Sequence, residues 1–108
     1  MKTSELKDLA LDWAVATANG DAIILAQENW DWYSSSWEHG GPIIEREGIE
    51  LRYWGLHSVP WKASIDGDTD AGVVLYEEHG ETPLIAAMRC YVASKLGDEI
   101  DLPKELTK

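Results

Sequence analysis

The sequence predicts an α+β domain in which a small, mostly antiparallel sheet packs against an N-terminal and a C-terminal helix, with a short central helix between them. Two observations carry this. Apolar residues recur at helical spacing near both ends of the chain, between recognisable start and stop signals, and in the middle they alternate with polar ones at the spacing of half-buried strands. At 108 residues the chain fits one domain, residues 1–108, because two would each be too small to bury a core.

Taken in order, Thr3 or Ser4 is placed to cap a first helix starting near Glu5, and Asn19-Gly20 supplies a left-handed stop. Its core stripe is Leu6, Leu9, Ala10, Trp13 and Ala14, with Lys7, Asp8 and Asp12 on the wet side. Residues 22–27 form an apolar run too short for a typical helix and suited to a buried strand. Residues 29–37, with Trp30, Trp32, Tyr33 and Trp37 around three serines, show neither period and read as an aromatic-rich loop. Gly40-Gly41-Pro42 reads as the entrance to a short central helix, Ile43 to Glu47, closed by Gly48.

Ile49, Leu51 and Tyr53 then alternate with polar neighbours, as do Val59, Trp61, Ala63 and Ile65, and the connection at residues 55–58 is short enough for a hairpin. Pro60 fits a strand start or an edge. Trp54 falls on the outward side, Trp13 and Trp61 on the inward side. Residues 66–72 read as an acidic turn-rich loop and residues 73–76 as a short apolar strand. Thr82 with Pro83 behind it opens the clearest helix, which Gly97 ends, and the wide apolar arc of Leu84, Ile85, Ala87, Met88, Tyr91, Val92 and Leu96 predicts deep packing on the sheet. Residues 101–108 read as an extended or frayed end.

Charge narrows the function. Nine Lys and Arg face 20 Asp and Glu, a net charge of -11, which opposes delocalised binding to DNA, RNA or an anionic membrane. No apolar run reaches membrane-spanning length and the N-terminal residues lack the core of a secretory signal, so a cytoplasmic protein is expected.

Catalytic and metal signatures are weak. Cys90 is the only cysteine and lies inside the packed C-terminal helix, where a thiol is usually inert. His39, His57 and His79 fall in three different loops with no metal-ligand spacing. Asp66, Asp68, Asp70 and Glu77 partly match a calcium loop, but Ala71 stands where the sharp turn wants Gly and the flanks read as strands, so a solvated loop is expected. Neither a metal, another cofactor nor an enzyme activity is expected.

The aromatic inventory is more informative: six Trp, four Tyr and no Phe. An indole can stack a nucleobase without any positive charge on the protein. Two helix entrances, at Gly40 and Gly41 and at the Thr82 turn, offer backbone amides to an anion, and Arg46 and Arg89 lie where a guanidinium could balance its charge. The competing readings are a core that uses Trp in place of Phe, a self-association surface, ordinary helix capping, and ion pairs within the chain.

Residues 1–6 (MKTSEL), 10–16 (ALDWAVA), 40–49 (GGPIIEREGI) and 82–100 (TPLIAAMRCYVASKLGDEI), with Pro103, Glu105 and Leu106 in the tail, resemble the NinX-like family of small phage proteins over about half the chain. No family pattern is recognised in the stretch from Trp54 to Gly80, and Gly80-Glu81-Thr82-Pro83 departs from the more usual Gly-Pro-Thr-Pro. The resemblance implies a lambdoid-type phage or prophage origin among accessory genes and expression in the cytoplasm of the infected bacterium. It carries over no catalytic residue.

The leading expectation is therefore a non-enzymatic phage accessory protein that sequesters a small nucleotide-like host signal as counter-defence, in a Trp-lined pocket at a homo-oligomer interface. Trp30 and Trp37 would stack the base, Gly40, Gly41 and the Thr82 turn would hold phosphate, and Arg46 or Arg89 would balance charge. The alternative is an acidic inhibitor of a basic host protein.

Overall fold

The computed structural model describes residues 1–20, 33–55, 58–69 and 72–102. The predicted strand at residues 22–27, along with Trp30, Trp32 and His57, lies outside the described residues. The elements are a 3-10 turn (Thr3–Glu5), α1 (Asp8–Ala18), α2 (Trp37–Glu47), β1 (Glu50–Tyr53), β2 (Trp61–Thr69), β3 (Gly72–Gly80) and α3 (Pro83–Leu96). The strands form an antiparallel sheet in the order β1-β2-β3, so the α+β class is as the sequence predicts.

Helix α3 is the centre of the fold. Leu84 and every residue from Ala86 to Ala93 are buried, as expected of a helix covered on all sides. One side lies on β2 and β3, and the other receives α1 and α2. The first helix packs chiefly on α3. The start and stop of α3 are as read: the Thr82 hydroxyl accepts a hydrogen bond from the Ile85 amide at 3.1 Å, Pro83 is the first helical residue, and Gly97 leaves with φ 93°. Cys90 is fully buried, and burial pushes its thiol up to about 12.

The N-terminal region departs from expectation. Thr3 does not cap α1; it is buried, its hydroxyl donates to the Gly97 carbonyl at 2.6 Å, and its amide donates to Asp98 at 2.7 Å. The chain end is consequently tied to the far end of α3. α1 starts only at Asp8, whose φ of 52° turns the chain into the helix. Its buried face is Leu11, Asp12, Ala14, Val15 and Ala16, while Leu9 is exposed. Asp12, assigned to the wet side from sequence, is 2% exposed.

Two further boundaries move. α2 begins at Trp37, so Gly40, Gly41 and Pro42 lie within it and do not open it; Gly48 ends it with φ 64°, as predicted. β2 runs through Asp66 and Gly67 to Thr69, and β3 runs from Gly72 to Gly80, with Asp66 opposite Leu75 and Thr69 opposite Gly72. Most of the predicted acidic loop is therefore strand, because cross-strand pairing continues past the apolar run that was visible in sequence. His39 and His79, placed in loops by the sequence reading, lie in α2 and β3. Towards the other end Ile100 is buried and exchanges backbone hydrogen bonds with Met1, at 2.8 and 2.9 Å, and Leu102 is half-buried against the core; residues 103–108 of the predicted tail lie outside the described residues.

Candidate functional site

A groove of about 310 Å³ opens between the start of α2 and the start of α3, lined by Ser34, Ser35, Trp37, Thr82, Pro83, Leu84 and Ile85. Each wall has a local cause. On one side Pro83 and the Thr82 cap fix the first turn of α3. On the other, Ser36 precedes α2 without any side-chain cap. The turn at residues 33–35 is instead pinned from another helix: Asp12 Oδ1 accepts from the Ser34 amide at 2.8 Å and from the Ser34 hydroxyl at 2.7 Å. Burial raises the Asp12 pKa against these two hydrogen bonds, which work to lower it.

Of the residues singled out from sequence, Trp37 and Thr82 come together in this groove, and Trp37 is 54% exposed. Gly40 stands one turn behind Trp37 with a different role. Its amide donates to the Ser36 carbonyl at 2.9 Å, and a Cβ there would sit 2.5 Å from the Tyr33 carbonyl oxygen and 2.7 Å from Leu84 Cδ2. It is glycine because the Tyr33 carbonyl of the turn before α2 folds back against it, with Leu84 of α3 packed alongside. Gly41 has room for a Cβ, with the Trp37 ring 4.0 Å away.

Neither arginine lines the groove. Arg46, at the far end of α2, donates to Glu47 at 2.9 Å, Asn19 at 2.8 Å and the Tyr91 hydroxyl at 3.1 Å. Glu47 also meets Lys95 at 3.3 Å; burial opposes its charge, but the hydrogen bonds from Arg46 and Lys95 prevail and lower its pKa. Arg89 is buried and donates to the Leu6 and His79 carbonyls, both at 2.7 Å, so it joins the N-terminal segment to β3. Its partners are backbone carbonyls, whereas the sequence offered it to a ligand's charge or, as the competing reading, to a carboxylate of the chain; burial lowers its pKa with partial compensation from Glu81 and Glu78.

Asp12 and Ser34 were missed as site residues. A signal existed: the neighbours of Asp12 one turn on, Val15 and Ala16, are both apolar, which puts a carboxylate on a face that packs.

The family described as Bacteriophage P22, NinX matches residues 2–95. The chain belongs to that family. No curated protein matches it. The NinX match takes in α1, the groove and the whole sheet, so the segment from Trp54 to Gly80, in which no family pattern is recognised by eye, lies inside it. Among the described residues no group of three or more His, Cys, Asp or Glu is placed to hold a metal ion, and no helix is long and apolar enough to cross a membrane.

Proposed function

We propose that this NinX-family phage protein is a non-enzymatic binding protein that takes up the flat ring of a small nucleotide-like host molecule in the Trp37 groove and sequesters it in the host cytoplasm as counter-defence. The observation that carries the reading is an indole more than half exposed at the mouth of a groove whose other wall is the first turn of a helix. An exposed indole of this kind contributes about 1 to 3 kcal/mol when a base stacks on it. The Thr82 hydroxyl uses its oxygen to accept from Ile85 and keeps its proton for a ligand acceptor.

The reading shifts weight from phosphate to ring. The Ile85 and Ala86 amides are taken by Thr82, and Pro83 has no amide hydrogen. With no cation in the lining, what α3 offers an anion is limited to the Leu84 amide and the helix dipole. Nucleosides and their nucleotides are therefore expected to bind with similar strength. The residues that line the groove come from one chain, so this reading does not call on the oligomer interface expected from sequence.

Calorimetric titration of nucleosides, linear nucleotides and cyclic nucleotides into the wild type and Trp37→Ala tests this. The wild type should bind at least one of them, and the variant should bind it about tenfold or more weakly with an unchanged circular dichroism spectrum. No binding by the wild type, or equal binding by the variant, overturns the proposal.

The second reading, capture of a basic host protein, is supported by the net charge of -11. It requires affinity that falls steeply with added salt, whereas ring stacking responds little.

A further inference from the structure

The sheet turns one face to α3 and, among the described residues, leaves the other open, and on the open face the register sorts side chains into rows across the strands. Arg52, Lys62 and His79 form one row; Glu50, Ser64 and Glu77 form the next; Asp66 and Leu75 follow. At the opposite end Trp54 is 48% exposed, with its ring 5.2 Å from Lys62 Nζ, and Leu75 is 53% exposed. A shallow cavity of about 200 Å³ runs over the face between them.

Placing Arg52 directly opposite Lys62 breaks a local rule, because like charges across a strand pair destabilise it. The chain has more than twice as many acids as bases, so an acid opposite Lys62 was readily available. Partial relief comes from the neighbouring row, with Arg52 at 3.3 Å from Glu50 and Lys62 at 3.2 Å from Glu77. The result is a basic stripe beside an acidic stripe.

Such a pair of stripes is complementary to itself. A two-fold axis parallel to the rows and midway between them lays the basic row of one copy over the acidic row of another. Arg52 then faces Glu50 of the second copy, His79 faces its Glu77, and the Trp54 end comes over the Leu75 end. This is the symmetry of a closed two-fold interface, in which each contact occurs twice.

We propose that the open sheet face joins two copies of this chain face to face. α3 lies on the opposite side of the sheet, so the Trp37 grooves stay outside the contact and the proposal is independent of what they bind. The net charge of -11 on each copy opposes association at a distance. At physiological ionic strength charges further apart than about 8 Å are largely screened, which leaves the contacting rows to decide.

Sedimentation at physiological ionic strength gives the test, with Arg52→Glu and Glu50→Arg as reciprocal variants. The side chains of both residues are well exposed, 64% for Arg52 and 65% for Glu50, so folding is expected to be unaffected and is checked by circular dichroism. The wild type should dimerise. Each variant alone brings like charges together twice and should associate at least about tenfold more weakly. An equimolar mixture of the two restores both pairs and should recover the dimer. A monomeric wild type, a dimer indifferent to Arg52→Glu, or a mixture that stays monomeric would each overturn the proposal.

Discussion

The two helices that frame the groove begin in different ways. α3 starts with residues adjacent in sequence: Thr82 caps Ile85 and Pro83 occupies the first turn. α2 starts without a side-chain cap on Ser36, and its entrance is held by contacts from far along the chain, Asp12 on the preceding turn and Leu84 against Gly40. A helix start built from neighbours can be read from its neighbours. One built from long-range contacts cannot, and Gly-Gly-Pro in the middle of α2 imitates a start while Gly40 makes room for the Tyr33 carbonyl and the Leu84 side chain.

That contrast can be broken most forcefully at Asp12. Replacing it with Ala leaves the buried Ser34 amide and hydroxyl without their acceptor, and each such loss costs about 1 to 3 kcal/mol. Urea unfolding of Asp12→Ala should show a loss of about 3 kcal/mol. A loss below about 1 kcal/mol would mean that the turn before α2 holds itself together.

Next in size is Gly40→Ala. The added carbon would meet a backbone carbonyl at 2.5 Å, and overpacking of this kind costs about 1 to 3 kcal/mol. Were Gly40 at a free helix entrance, as the sequence suggested, Ala would change stability by less than about 1 kcal/mol. Thr82→Ala removes only a local cap and should cost about 1 kcal/mol. An order reversed between these two would remove the distinction drawn here between the two starts.

The smallest effect is in pH dependence. The Asp12 pKa is raised in the folded protein, so folding retains a proton that the unfolded chain releases. Its contribution is harmless at low pH and becomes destabilising as pH rises from the ordinary value of 3.8 through the raised one. Asp12→Asn keeps an acceptor for Ser34 and removes the titration. Its stability should fall less across that window than the wild type's, and curves of equal slope would show that the Ser34 hydrogen bonds offset the burial and leave the Asp12 pKa unshifted.

The same division explains what was legible. The α+β class, the β1–β2 hairpin, the limits of α3, the Gly48 stop and the burial of Cys90 follow from period and local signals, and the structure agrees with each. The extension of β2 and β3 through residues 66–69 and 77–80 did not show, because those residues are polar and take strand geometry from their partners. Trp37 and Thr82 were found because an indole and a cap announce themselves by residue type. The engagement of Arg46 with Tyr91 and of Arg89 with Leu6 depends on which helices cross, which composition does not encode.

The groove's role is tested most directly by the indole N–H resonance of Trp37 in a nitrogen–proton correlation spectrum, assigned by its absence from Trp37→Ala and followed as nucleosides and nucleotides are added. A saturable shift of that resonance, larger than that of Trp54 on the opposite face of the sheet, is the predicted result. A Trp37 signal that stays in place while other resonances move, or a spectrum that does not change at all, would contradict the assignment of the groove as the binding site.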